Sequence, residues 1–301
     1  MLTIWVLTDG KRGHENQSLG LAEALARKTP ARLEICAAAG NWTHALNWLL
    51  GRFPPGVERP RPDLILAAGH ETHWALLAAR RAFGGKAIVS MKPSLPLAWF
   101  DRVILPRRDA LKASANLVET DGPLSRIRRV PGATPRPLNL MLIGGPSPHF
   151  AWDDAAIIRQ VRELAAHEPQ RRWTLSTSRR TPPDFLPALK SNQPENLTLV
   201  AHDQTGPDWL PAQLVQAQSA WVTPDSVSMI YEALTAGAGV GLFGLSDRST
   251  SVARSILDLA RHGRVLPFAR WQESPRLPEP MAEFNEADRV AALVLAWLKP
   301  S

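Results

Sequence analysis

Cysteine is nearly missing from this chain: Cys36 stands alone among 301 residues. That excludes an intramolecular disulfide and a cysteine metal cluster, and it fits a reducing compartment. Long apolar runs are missing too. No stretch is long enough to cross a bilayer, and Leu2 to Leu7 is too short for a signal h-region, so it reads as a first strand. A D-x-D signature of metal-nucleotide sites is absent. The loop after the first strand ends neither in Gly-Lys-Ser/Thr nor as G-x-G-x-x-G, so it is not a Walker or dinucleotide loop. His70-Glu71-Thr72-His73 superficially resembles a zinc motif, but its imidazoles are three apart rather than four. Thr72 reads better as a helix cap.

What is present defines a globular protein with an ample core: 45% of residues are hydrophobic and 21% charged. The formal net charge is +7, which suits an anionic partner such as a nucleotide or an acidic membrane face. Basic residues are dense from Arg102 to Arg136 (Arg102, Arg107, Arg108, Lys112, Arg126, Arg128, Arg129 and Arg136), a stretch that would suit anionic lipid. No aromatics interleave with them, which argues against single-stranded nucleic acid. Eleven tryptophans are many for this length.

Short apolar strands alternate with helical patterns. The expected strands are Leu2–Leu7, Arg32–Cys36, Leu64–Ala67, Ala87–Ser90, Arg102–Leu105 and Asn116–Glu119. The expected helices between them are Asn16–Lys28, Trp42–Leu50 (with Trp42, Ala45, Leu46 and Leu49 on one face) and one within Gly69 to Phe83, which reads as a loop and helix. Asp121 to Pro137 is polar, basic and rich in Pro and Gly, and reads as a linker. The alternation then restarts with strands Leu138–Ile143, Trp173–Thr177, Asn196–Val200, Trp221–Thr223 and Val240–Phe243, and helices Trp152–His167, Val227–Ala236, Arg248–His262 and Glu286–Leu298. This predicts two doubly wound α/β domains, 1–135 and 136–301, facing a cleft, with the last helix packing back on the first domain.

Chemistry gathers at strand ends. Gly10 and Gly13 allow close backbone approach, and His14 stands where α/β folds place ligands, at a pH where imidazole titrates. Gly144-Gly145 follows a strand; as a lone pair it reads first as a plain turn, and it also offers room for a diphosphate. Ser178, Arg179, Arg180 and Thr181 combine hydroxyls and guanidiniums suited to phosphate. Asp225 and Ser226 are helix N-cap types, so Val227 and Ser228 begin a helix whose free N–H groups suit an anion, while Glu232 is placed to accept from a ribose diol.

Taken together these motifs resemble the elongated-mitochondria (mitochondrial fission ELM-type) family. The residues that carry the likeness are Thr8-Asp9-Gly10, Gly13-His14-Glu15-Asn16-Gln17, Ala67-Ala68-Gly69 with Thr72, Phe100-Asp101 with Pro106 and Asp109, Gly144-Gly145, Ser178 to Pro182, and Thr223 to Met229 with Glu232. The family is similar to GT-B glycosyltransferases. That likeness implies two Rossmann-like domains, an acceptor side in the first and a nucleotide-sugar in the second, and transfer without metal or cofactor. A further similarity, to the N-acetylglucosaminyltransferase of peptidoglycan lipid synthesis, implies roles. His14 or Asp9 takes the acceptor proton beside an acceptor loop of Gly10, Gly13, Glu15 and Gln17. Ser226, Val227 and Ser228 hold the diphosphate, Glu232 the ribose, and Arg179 or Arg180 offsets leaving-group charge.

Two positions depart from the GT-B pattern: Gly237-Ala238-Gly239 stands where Gly-Lys-Pro is common, and Arg107-Arg108 where a Glu-His-like pair is expected. The implied protein is a cytoplasmic hexosyltransferase-like enzyme, peripheral at the inner membrane face, with a lipid-linked or envelope acceptor. The alternatives are a nucleotide-sugar epimerase on the same fold and a non-catalytic membrane-associated scaffold of the fission type. Oligomeric state stays open.

Overall fold

A computed structural model describes residues 1–38, 40–109, 114–129, 137–280 and 284–299. It divides into two compact units, Met1–Arg126 with Asn285–Ser301, and Ile127–Phe284.

In the first unit six strands form one sheet in the order β2-β1-β3-β4-β5-β6. They are β1 (Leu2–Thr8), β2 (Ala31–Ala37), β3 (Leu64–Ala68), β4 (Lys86–Ser90), β5 (Arg102–Pro106) and β6 (Leu117–Thr120). All pairings are parallel, so every strand ends at the same edge. Such strands bury both faces, which explains why β3, Leu-Ile-Leu-Ala-Ala, is apolar throughout rather than alternating. On one face lie α1 (Arg12–Lys28) and α10 (Glu286–Leu298), sharing a core of Ile4, Val6, Leu21, Leu25, Val290 and Val294. The other face carries α2 (Asn41–Leu49) and α3 (His73–Phe83) over Trp5, Ile65, Leu76 and Val89.

The second unit also has one wholly parallel sheet, ordered β12-β11-β10-β7-β8-β9. Its strands are β7 (Leu138–Leu142), β8 (Trp173–Ser176), β9 (Leu197–Val200), β10 (Ala217–Val222), β11 (Gly239–Leu242) and β12 (Leu266–Pro267). The helices are α4 (Asp154–His167), α5 (Phe185–Lys190), α6 (Trp209–Gln216), α7 (Val227–Ala236), α8 (Ser251–Arg261) and α9 (Phe268–Glu273). Counted within the unit this is the strand order of a dinucleotide-binding sheet, while the first unit has the flavodoxin-like order. In each, the chain leaves the first strand in both directions. The resulting switch points lie between β1 and β3 and between β7 and β10.

The structure corrects four local expectations. First, α1 begins at Arg12, four residues before the expected Asn16, and its N-cap Lys11 makes no side-chain cap. Gly10, at φ +77°, turns the chain directly into the helix. Second, Thr72 stands at the N-cap position of α3, as expected, but makes no side-chain cap bond: its hydroxyl donates backwards to the carbonyls of Gly69 and Ala68. Third, α5 and α6 were not anticipated, because Pro187 and Pro211 sit inside them. Each proline lies in the first turn, where no intrahelical N–H is lost. Fourth, the described part of the expected linker is not a bare polar tether. Leu124 is buried in the first unit's core and Ile127 in the second's. Gly20 lets this segment press onto α1, since a Cβ there would meet the Ser125 carbonyl carbon at 2.5 Å. Residues 130–136 of that linker lie outside the described residues.

Candidate active site

The first-unit site is built by the loop that leaves β1. The Asp9 side chain is fully buried, and Oδ2 lies 2.8 Å from His14 Nδ1. Its other oxygen accepts from the Lys11 N–H at 3.1 Å. A carboxylate is acceptor-only, so the proton of a neutral imidazole sits on Nδ1 and the Nε2 lone pair is left for a substrate. Early onset of α1 is what makes this possible: His14 stands in the helix's first turn and leans back towards Asp9. Thr8 ties the loop from below, accepting from the Gly10 N–H and bonding Glu15. Glu15 therefore faces the loop's own base. Gly10 and Gly13 are exposed, with no atom near their missing Cβ positions. Gln17 is half-buried.

The other half of this switch point is Gly69, directly after β3. Its φ is +85°, and a Cβ would lie 2.2 Å from His14 Nδ1. Only glycine leaves room for the imidazole there. Next to it, Lys11 Nζ reaches Glu71 Oε1 at 2.9 Å and Asp9 Oδ2 at 3.9 Å. The bond to Glu71 raises the Lys11 pKa. His73 lies beneath, buried, with Nδ1 3.1 Å from Ser94 Oγ and Nε2 without a hydrogen bond among the described residues. Burial, with smaller contributions from His70 and His14, lowers its pKa to about 4, so it stays neutral. His70 by contrast is exposed. The two imidazoles of the His-Glu-Thr-His stretch thus occupy different surroundings, and no group of three potential metal ligands converges among the described residues.

The second-unit site closes around another buried aspartate. Asp225, after β10, accepts from Arg180 Nη2 at 2.7 Å and from the Gly145 N–H at 3.0 Å through Oδ2. Its Oδ1 is buried without a partner among the described residues. Thr223 Oγ1 takes the Gly144 N–H at 2.7 Å. Ser178 Oγ donates to the Gly144 carbonyl at 2.8 Å, and Thr181 Oγ1 donates to the same oxygen. Arg180 also donates to the carbonyls of Gly145 and Pro146. A Cβ on Gly144 would meet Asp225 Oδ2 at 2.2 Å, and one on Gly145 the Arg180 carbonyl at 2.1 Å.

The two glycines serve loop-on-loop packing, and their N–H groups are engaged internally, as are the hydroxyls of Ser178 and Thr181. Arg180 is bound into the same network. Arg179, beside it, is exposed and makes no ion pair among the described residues.

Beyond Asp225, α7 spans the expected residues and ends at Gly237, in the left-handed region at φ +76°. Ser226 is the N-cap but makes no side-chain cap bond. Val227, Ser228 and Met229 open the helix, and first-turn N–H groups have no intrahelical partner. Ser228 is exposed, Ser226 buried, and Glu232 is buried in the second turn. The structure thus gathers Gly144, Gly145, Ser178, Arg180, Thr181 and Asp225 into one network at the head of α7.

The basic stretch does not form one free patch. Arg107 lies 3.5 Å from Asp121, Arg108 3.8 Å from Asp109, and Arg126 2.8 Å from Glu23. Arg102 stacks on Trp297 and Arg129 lies along Gly237. Lys112 and Arg136 lie outside the described residues.

Two parallel sheets, each with its polar cluster at the switch point, define a two-domain Rossmann-like fold of the GT-B type. Solved structures of that architecture match over nearly the whole chain. UDP-GlcNAc 2-epimerase from Methanocaldococcus jannaschii is 10% identical, with a TM-score of 0.60 over 98% of this chain and 99% of that one. The Neisseria meningitidis UDP-GlcNAc 2-epimerase, bound to UDP-GlcNAc, is 14% identical, with a TM-score of 0.54 over 99% of each chain. At such identities the likeness establishes the fold.

The chain belongs to the mitochondrial fission ELM1 family, whose model matches residues 12–298. Uncharacterized protein RP120 of Rickettsia prowazekii (strain Madrid E) is 32% identical over 120 residues, 36% of this chain and 32% of that protein. The match thus spans about a third of the length of that curated relative. Among the described residues no helix is long and apolar enough to cross a membrane.

Sequence reasoning missed Gly69, Lys11 and Glu71 as site residues. The available signal was Gly69's place after a strand and before a helix, which the first unit's strand order turns into a switch-point position.

Proposed function

We propose that this chain is a glycosyltransferase that moves a sugar from a nucleoside-diphosphate sugar to an acceptor hydroxyl, with neither metal nor cofactor. The observation that carries this reading is the Asp9–His14 pair at 2.8 Å, with the imidazole packed on Gly69. His14 Nε2 accepts the acceptor's hydroxyl proton as that oxygen bonds the anomeric carbon. The bond from that carbon to the diphosphate breaks, and the nucleoside diphosphate departs with the electron pair. Asp9 orients the ring and stabilises the imidazolium, acting as a positioning residue and not as the base itself.

On the donor side the first-turn amides of α7 and the exposed Arg179 face the diphosphate, and Glu232 accepts from the ribose. Arg180 holds the loop in shape. The sequence supports the metal-free chemistry through its lack of a D-x-D signature.

Epimerisation of a nucleotide-sugar is the second reading. The full-length matches to UDP-GlcNAc 2-epimerases favour it, and it needs no acceptor. Incubation of the protein with UDP-GlcNAc alone, followed by NMR of the products, separates the two. Transfer predicts at most slow release of UDP and free sugar, reduced in His14→Ala, with no C2 epimer. Appearance of the epimer would replace the transferase reading. A non-catalytic scaffold predicts in addition that no nucleotide-sugar or nucleoside diphosphate binds, which a thermal-shift series reads directly.

A further inference from the structure

The helix α2, expected to carry Trp42, Ala45, Leu46 and Leu49 on one face, turns most of that stripe outward. Trp42 is 91% exposed, Leu46 57%, Leu49 62% and Leu50 50%. These four lie within nine consecutive residues, so they form one patch and not the scattered apolar residues every surface carries. The opposite face is fixed: His44 is buried, and Trp48 packs on Trp74 at 5.4 Å and stacks on Trp99 at 5.8 Å. The helix is therefore anchored on α3 with its apolar face presented outward.

We infer that this face is a docking surface for an anionic lipid bilayer, with α2 lying in the interface plane. Charge decides the occupant. No charged residue lies within α2 itself. Arg52 follows it, exposed, and the exposed Arg81 holds its guanidinium 5.5 Å from the Trp48 ring. Between residues 40 and 62 Glu58 is the only acid, against Arg52, Arg59 and Arg61, and α3 carries Arg80 and Arg81 with no acid. Of these, Arg59 is paired with Glu34 and Arg80 with Asp101, which leaves Arg52, Arg61 and Arg81; Arg52 follows α2 directly and Arg81 lies over Trp48.

An apolar face of Trp and Leu rimmed by arginine is the composition of an interfacial helix on acidic lipid. The paired arginines of the 102–129 stretch make a poorer site. Topology adds a consequence. All strands of this sheet end at one edge, so the start of α2 after β2 lies at the same edge as Asp9 after β1. Docking through α2 does not depend on the transfer chemistry.

The test is co-sedimentation of the full chain with vesicles of equal phosphatidylglycerol and phosphatidylcholine, and with phosphatidylcholine alone. The wild type is expected to pellet with the acidic vesicles, less with neutral ones, and less as salt rises. The variant carrying Trp42→Ser, Leu46→Ser and Leu49→Ser should bind roughly tenfold more weakly or less. Its melting temperature should match the wild type, since the altered side chains are exposed. A wild type that stays in the supernatant would overturn the proposal. So would a triple variant that binds equally well. Sedimentation velocity supplies a third contrary outcome: a wild-type dimer that becomes monomeric in the variant, with no vesicle binding, would assign the patch to self-association.

Discussion

The two switch points are built alike and work differently. Each has a buried aspartate after a strand, holding a basic side chain: Asp9 holds His14 at 2.8 Å, and Asp225 holds Arg180 at 2.7 Å. Each has a glycine whose Cβ would lie 2.2 Å from an atom of that pair, Gly69 in the first unit and Gly144 in the second. The difference is the base. An imidazole exchanges protons near neutrality, whereas a guanidinium keeps its charge. On the proposed function, the aspartate of the first unit therefore readies a proton acceptor. In the second it fastens a loop, with Arg180 also bonding two carbonyls of the glycine turn. A shared fold thus offers one type of position, and the residue held there sets its chemistry.

Substitutions at the two points should separate these roles. The largest effect belongs to His14→Ala, expected to lower transfer by ~100- to 10,000-fold while leaving the melting temperature and nucleotide affinity near wild type. Equal activity in this variant would remove the proton-acceptor half of the comparison.

Acid should weaken the native state through the ground beneath that site. His73 has a folded pKa of about 4 against an ordinary 6.5. Between those values the unfolded chain takes up a proton that the native chain refuses. Stability therefore falls as pH drops from 6.5 towards 4, by up to about 3 kcal/mol from this group. Urea unfolding across that range should show the slope, and His73→Gln should flatten it.

Gly69→Ala comes next, expected to cost about 2 kcal/mol through its positive φ and the displaced imidazole. It should also lower activity in step with His14, which distinguishes it from a purely structural glycine. The smallest effect is Arg180→Ala, about 1.5 kcal/mol or less. Its side chain is 44% exposed, so solvent screens the pair, yet removal leaves the Asp225 carboxylate buried. Adding Asp225→Asn should recover part of the loss in urea unfolding. A loss unchanged by the second substitution would show that the carbonyl bonds, not the ion pair, hold the loop.

Much of the fold was legible because parallel, doubly covered strands advertise themselves as short apolar runs. All the expected strands occur, and α7 occupies the predicted residues because Ser226 and Gly237 punctuate both ends. What was hidden depended on tertiary context. The onset of α1 carries no side-chain cap, and the prolines of α5 and α6 masked helices that tolerate them in the first turn. The stripe of α2 was readable as a stripe, but periodicity does not say whether a face meets a core or solvent. The same limit applies to the glycine turn: Gly144-Gly145 was visible as a close approach, whereas only the structure shows that the approaching groups are Asp225 and Arg180.

The measurement that bears most directly on the account is a thermal-shift series with UDP, GDP, CDP, ADP and dTDP in metal-free buffer, on the wild type and Glu232→Ala. A ligand that binds only the native state raises the melting temperature by mass action. A nucleotide-sugar protein with its donor site at the head of α7 should respond to one of these, and lose that response in Glu232→Ala. No shift with any of them at millimolar concentration would contradict the donor site, and with it the proposed transfer.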